Sequence, residues 1–249
     1  MSFNLRKSII EKNGGKNVLI YDVEILTPIS DKEQLGRPSE LEFGSAVMYD
    51  YSADRYSFYD QTSKDLLVGL LANNTVVSFN GIQFDNIIVG KTDWKDIDLF
   101  QKVVESKFEK PFEDVMKEVE PEKVFNGTLG LDVLCKNNLE VGGKSGPPEN
   151  VPLLFESGLL SEVYEYNLND VRLTRKLFEI VVLAGKLKDG DGRVLDIDLG
   201  LEDTPGIPDS LLSEIRDALE EPASIVVCPP GVSLEYSQPS KGACGVLFV

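Results

Sequence analysis

Two short segments, VLIY at 18–21 and TVVSF at 75–79, are almost wholly apolar. A strand turns successive side chains to opposite sides. A segment apolar on both sides therefore needs cover on both, which is the situation of strands buried in a mixed sheet under helices. FGSAVMY at 43–49 and YSFY at 56–59 read as two further strands, with Asp, Ser and Ala at 50–54 as the turn material between them. The chain thus opens as a three-strand meander. TSKDLLVGLLA at 62–72 has helical periodicity, with Thr62 or Ser63 as its cap. Segments 97–107, 111–119, 128–140 and 159–185 are mainly helical in pattern, the last long and preceded by Gly158. This order, three strands, a helix, a strand and then helices, predicts an α/β domain with helices on a mixed sheet.

Beyond about residue 186 the chain turns rich in Asp, Gly and Pro. A helix is expected at 208–220, and strands in ASIVVC and in the terminal GVLFV, which would close the chain's own sheet or dock on a partner as an added strand. The expected division is a domain over 1–185 and a small α+β extension over 186–249.

Composition removes several kinds of chemistry. There is no histidine among the 249 residues, so Ser-His and Cys-His nucleophile pairs, HExxH sites and most zinc centres are excluded. The three cysteines, Cys135, Cys228 and Cys244, form no CxxC pair and no disulfide framework. No apolar run approaches the length of a bilayer span and the N-terminus lacks a secretory pattern, so a cytoplasmic, membrane-free protein is expected. The net charge of −17 is a poor match to a domain that grips nucleic acid by a basic face. Any nucleic-acid site must be locally positive, neutralised by metal, or helped by a partner.

Three places hold carboxylates where packing would not ask for them. The first is DVE at 22–24, where Asp22 and Glu24 share one face of a strand. Side-by-side carboxylates repel unless a cation lies between them, and a hard divalent ion with oxygen ligands suits the pair. Taken alone, the pair also reads as a solvated strand end. The second is NGIQFD at 80–85, with Asp85 in the first turn after strand 75–79; Asn-Gly is equally a hairpin signal. The third lies in the long helix, where Val163, Asn167, Asp170, Thr174, Leu177 and Val181 follow the helical rhythm and put Asp170 on the inward stripe. Tyr166 is one turn earlier on the same side. An Asp bonded to a neighbouring Arg or backbone group is the plain alternative there.

Taken together, D-x-E on the first strand, NGxxFD and Y-x-x-x-D on a late helix resemble the DEDD 3′-5′ exonucleases of the ribonuclease H-like superfamily, in the subclass with Tyr in the third motif. The likeness spans roughly residues 17–182 and is nearest to the proofreading domains of family B DNA polymerases and the exonuclease-like domains associated with some superfamily 2 helicases. DIDLFQKVVE and GTLGLDVLCKNNLEVGGKSG fit the family's supporting segments. The resemblance implies a ribonuclease H-like mixed sheet and two Mg²⁺ or Mn²⁺ ions. It implies that Asp22 bridges the ions, that Glu24 and Asp170 hold the one that activates water, that Asp85 serves the one near the leaving group, and that Tyr166 orients the water. The implied substrate is the 3′ end of single-stranded DNA, ahead of RNA, with a helicase or polymerase as a conceivable partner. Two rivals stay open: a catalytically weak or inactive nucleic-acid-binding or scaffold module, and an endonuclease or resolvase on the same fold. The polar stretch ILTPISDKEQLGRPSELE departs from the family, which leaves contacts to the terminal nucleotide open.

VGGKSGPP at 141–148 is not a P-loop. Position 138, where the motif needs its first Gly, is Asn, and Pro-Pro stands where the helix should begin. Lys144 in that loop is a candidate phosphate contact, alongside its reading as a solvated lysine. Asn80, Phe84 and Trp94 complete the candidate substrate contacts. Core packing is the default for Phe79 and Phe84, and Trp94, beside Lys91 and Lys95, is the better candidate to stack on a base.

Overall fold

The computed structural model describes residues 5–29, 34, 36–90, 93–124, 127–139, 150–201, 224–227 and 234–236. Helix α1 (Leu5–Lys12) leads into β1 (Val18–Ile25), β2 (Phe43–Asp50) and β3 (Arg55–Asp60), the expected meander. Then come α2 (Lys64–Ala72), β4 (Thr75–Ser78), α3 (Asp85–Val89) and a short β5 (Asp96–Asp98). Helices α4 (Leu99–Phe108), α5 (Phe112–Glu118), α6 (Pro121–Val124), α7 (Leu131–Leu139), α8 (Val151–Glu156) and α9 (Leu160–Ala184) follow. The hairpin β6 (Lys186–Lys188) and β7 (Val194–Asp196), then β8 (Ser224–Val227) and β9 (Leu234–Tyr236), complete the described elements.

The main sheet has strand order β5-β4-β1-β2-β3-β8-β9. β1 pairs antiparallel with β2, and β2 with β3, while β4 runs parallel to β1 and β5 parallel to β4. In the first five strands β2 alone therefore runs against the rest. This is the expected α/β class, a mixed sheet flanked by helices, consistent with a ribonuclease H-like fold. β8 adds parallel to β3 and β9 antiparallel to β8.

Alternation along β1 sorts its side chains into two layers. Val18 and Ile20 join the cluster built with α4, α7 and α9, whereas Leu19, Tyr21, Val23 and Ile25 join the opposite cluster with Leu67, Leu71, Ile88 and Trp94. Asp22 and Glu24 thus continue the face that α9 covers. α9 runs for 25 residues because LSEVYEYNLNDVRLTRKLFEIVVLA contains neither Gly nor Pro. It stops where Gly185 takes a left-handed backbone (φ 66°) and returns its N–H to the carbonyl of Val181 at 2.8 Å.

A buried polar network fixes α9 on the meander. The Arg175 guanidinium lies 3.9 Å from the ring centre of Tyr49, donates to Glu179 at 2.8 Å and to the Tyr56 hydroxyl at 3.1 Å, and Tyr51 donates to Glu179 at 3.0 Å. Burial of a charge is costly unless paired, and here the pair is enclosed by three tyrosine rings.

Some local details differ from the expectations or add to them. Ser63 is the N-cap residue of α2, as expected, but makes no side-chain cap bond; the carboxylate of Asp60 accepts from the N–H groups of Thr62 at 3.0 Å and Ser63 at 3.1 Å and caps a 3-10 turn (Gln61–Ser63) that leads into it. The helical pattern at 97–107 begins as strand β5, with Asp98 capping α4. α1 and the hairpin β6–β7 are additional elements. Leu187, Leu195, Ile197 and Leu199, which follow α9, are buried in the same cluster as α4, α7 and α9. The helix expected at 208–220 and the strand expected in GVLFV lie outside the described residues; ASIVVC supplies β8.

Candidate metal centre

At Asp22, β1 has lost its apolar character but not its cover. Val47 stands opposite Asp22 and Ser45 opposite Glu24 on β2, and the pairing register slips between Glu24 and Ile25. Glu24 is buried and Asp22 half-buried. From the other side α9 presents Asp170, only 2% exposed, on the stripe that includes Asn167 and Thr174. One carboxylate oxygen from each of Asp22, Glu24 and Asp170 lies within 4.8 Å of the other two. Three carboxylates at that range repel strongly in a partly buried site. The donor set is all oxygen and negatively charged, which is what a hard divalent cation requires. The residues present therefore fit such an ion.

Two polar atoms beside the trio support that fit. Asn167 donates from Nδ2 to Asp22 Oδ2 at 2.6 Å, and its own Oδ1 is buried without a hydrogen-bond partner among the described residues. Ser45 Oγ, opposite Glu24, is likewise buried without one. Buried polar atoms of this kind are costly unless a water or ion completes them.

The backbone of Glu24 is closely packed as well. Phe155 of α8 lies against β2 at Gly44, where a Cβ would stand 2.7 Å from the Phe155 ring and 2.9 Å from the Glu24 carbonyl oxygen. Only glycine allows that approach.

Asp85 is placed beside the trio but does not share its 4.8 Å grouping. It is buried as the first residue of α3, and its Oδ1 accepts from the Val23 N–H at 3.0 Å. The β1–β4 ladder ends at Ile20 and Val77, so the carboxylate takes a strand N–H beyond the end of that ladder. The loop before it is braced by Asp98, which accepts from the backbone N–H groups of Asn80 at 2.8 Å and Ile82 at 3.1 Å while capping α4 through Phe100 and Gln101. Asn80 adopts φ 69° in that turn, and a Cβ on Gly81 would lie 2.5 Å from Ser78 Cβ. The Asn-Gly pair is thus neither a hairpin nor incidental: it turns the chain from β4 toward Asp85.

Beneath Asp85 runs a polar chain. Tyr21 donates from its hydroxyl to Asn86 Oδ1, Asn86 donates to Asp96 Oδ2 at 2.9 Å, and Ser78 Oγ donates to Asp96 Oδ1 at 2.9 Å. Burial pushes Asp96 up to about 7, with Asp98 and Asp85 adding to the shift and the bonds from Asn86 and Ser78 opposing it. Asp98 is raised by burial against the pull of its four backbone donors. Tyr21 is raised by burial first, and then by Asp85, Asp96, Asp22 and Asp98. The sequence reading missed Asn167, Asp96 and Asp98 as site-building residues; the helical spacing of Asn167 from Asp170 was the one signal for the first.

Tyr166 lies on α9 in a small cluster with Val151 and Val163, with Leu154 and Phe155 at its edge. Trp94 is corrected: it is no open stacking surface but 8% exposed, set edge-on to Tyr21 with ring centres 6.5 Å apart. Polar neighbours hid the fact that the chain passes under the sheet before β5. Phe84 is half-buried against the same cluster, and Phe79 packs 5.7 Å from Phe100, both as core residues. Lys144 lies outside the described residues.

No protein-family model matches the chain, and no curated protein matches it. Among solved structures it is similar to a family B DNA polymerase from the hyperthermophilic archaeon Pyrobaculum calidifontis, at 14% identity and a TM-score of 0.43. The match covers 67% of this chain and 24% of that one, so the chain spans about a quarter of the polymerase's length.

Proposed function

We propose that the protein is a metal-dependent 3′-5′ exonuclease acting on single-stranded nucleic-acid ends, with DNA preferred to RNA. The observation that carries this reading is the convergence of Asp22, Glu24 and Asp170 from a strand and a distant helix within 4.8 Å. Asp22 and Glu24 alone would suit a solvated strand end; Asp170, buried on α9, makes the group a cation site. The motif resemblance supplies the rest of the assignment. Asp22, Glu24 and Asp170 would hold one Mg²⁺ or Mn²⁺, and Asp85 with Asp22 a second. Bound there, the ions would supply Lewis-acid chemistry, activating water and stabilising the departing 3′ oxygen in an in-line displacement. Tyr166, one helical turn before Asp170, would orient that water, while the Asp98-braced loop keeps Asp85 beside β1.

The test is to incubate 5′-labelled single-stranded DNA and RNA with the protein in Mg²⁺, Mn²⁺ or EDTA, beside Asp22→Ala and Asp170→Ala variants. A ladder of shortened products that needs metal and disappears in both variants is expected. No metal-dependent cleavage of either polymer would refute the enzyme reading. The net charge of −17 favours one second reading, a ribonuclease H-like module that works as part of an assembly rather than by gripping nucleic acid unaided. Nucleic-acid binding that appears only when a basic partner is added, without metal-dependent cleavage, would select it.

A further inference from the structure

Asp22 is the one member of the trio that is half-buried rather than buried. Its carboxylate is pushed outward by Glu24 and Asp170, since like charges within 4.8 Å repel, and a short side chain at the rim can relieve that repulsion by rotating toward water. A contact from α9 opposes the rotation. Asn167, 0% exposed on α9, donates from Nδ2 to Asp22 Oδ2 at 2.6 Å. A carboxylate only accepts, so the amide must present its NH₂ to Asp22 and turn Oδ1 away. That outcome leaves Oδ1 buried with no hydrogen-bond partner among the described residues, which costs stability. An apolar residue of the same size would fit the stripe between Val163 and Val171 without it.

We propose that Asn167 is a positioning residue for the metal: its hydrogen bond to the anionic Asp22 holds that carboxylate in line with Glu24 and Asp170. The bond is charge-assisted, and such bonds are about twice as strong as neutral ones. Asn167 and Asp170 are spaced i, i+3, so both project from one face of α9. The helix that contributes one ligand therefore also orients another, contributed by the strand. This inference rests on the metal-site reading above.

The test uses Mn²⁺ alone as probe, with the full chain, Asn167→Leu and Asn167→Ala, in calorimetric or paramagnetic-resonance titrations. Partners behind the ligands change metal affinity by about 10–100-fold when removed. Both variants should bind Mn²⁺ at least tenfold more weakly. Asn167→Leu, which keeps the volume and removes the buried amide, should unfold no earlier than the parent in EDTA. A merely structural clip predicts the reverse, lower stability with unchanged affinity. In the parent chain itself, substoichiometric Mn²⁺ should broaden away the Asn167 side-chain amide signals in a ¹H–¹⁵N spectrum. Equal affinity in parent and variants overturns the inference and leaves the site reading intact, whereas persistence of those signals in a chain that binds Mn²⁺ overturns both. A parent chain that binds no Mn²⁺ at millimolar concentration overturns both.

Discussion

Asp170→Asn should make the metal-free protein more stable. The side chain keeps its shape and loses its charge, and Asp170 takes part in two of the three repulsive pairs of the trio. For oxygens at the outer limit of 4.8 Å and an effective dielectric of about 20, a fully ionised pair costs about 3.5 kcal/mol. Two such pairs, about 7 kcal/mol, are an upper bound, because Asp22 is half-buried and solvent screens its charge. A remainder of about 1–3 kcal/mol at pH 8 is expected, and for a chain of 150–250 residues each kcal/mol moves the thermal midpoint by about 2–4 °C. The assay is thermal unfolding in EDTA and in saturating Mn²⁺. In EDTA the variant should melt above the parent. With Mn²⁺ at 1,000 times its dissociation constant the parent should gain about 4.1 kcal/mol and the variant little, so the order reverses. A variant that is less stable in EDTA, or that gains as much from Mn²⁺, would refute the argument that repulsion in this trio is what a cation relieves.

Asp96→Asn tests the polar chain beneath Asp85. A folded-state value raised from 3.8 to about 7 means that between those pH values the folded chain holds a proton the unfolded chain has released. Stability from this group is present below about pH 4 and is lost as pH rises through about 7. That rise corresponds to about 4 kcal/mol; since Asp96 keeps part of its surface in water, about 2 kcal/mol is expected. Urea unfolding should show that the substitution flattens the decline between pH 5 and 8 and stabilises at pH 8. Asp98→Ala strips four backbone N–H groups of their acceptor and should cost about 3 kcal/mol or more in the same assay. A cost under about 1 kcal/mol would contradict the bracing role. Gly44→Ala drives a methyl toward Phe155 and the Glu24 carbonyl. A loss of about 1–3 kcal/mol with weakened Mn²⁺ binding is expected in a titration, and unchanged binding would show that Glu24 is not held from that side.

Legibility in the sequence followed burial. β1 to β4 were readable because their apolar runs are short and bounded by turn residues, and α9 because its 25 residues hold one stripe without a break. β5 was hidden: its three residues, DID, are mostly charged, a composition strands avoid. Asp98 belongs to that strand's end and to a helix cap at once, and neither pattern shows that its carboxylate also holds the Asn80 turn. α1 and the β6–β7 hairpin are short and polar on their outer faces, and only the tertiary cluster that takes up Ile9, Leu187 and Leu195 explains them. At the site, Asp22 and Glu24 were visible as an anomaly in a strand and Asp170 as an acid on a packing stripe. Their meeting is a tertiary fact that spacing alone does not contain. Trp94 went the other way, since polar neighbours in sequence concealed a core position against Tyr21.

The central claim is that Asp22, Glu24 and Asp170 hold a divalent cation. It is tested most directly by anomalous diffraction at the manganese edge from crystals of the full chain grown with millimolar Mn²⁺. An anomalous peak is predicted between the carboxylates of Asp22, Glu24 and Asp170, within coordination distance of an oxygen from each. Well-ordered carboxylates with no peak between them would contradict it.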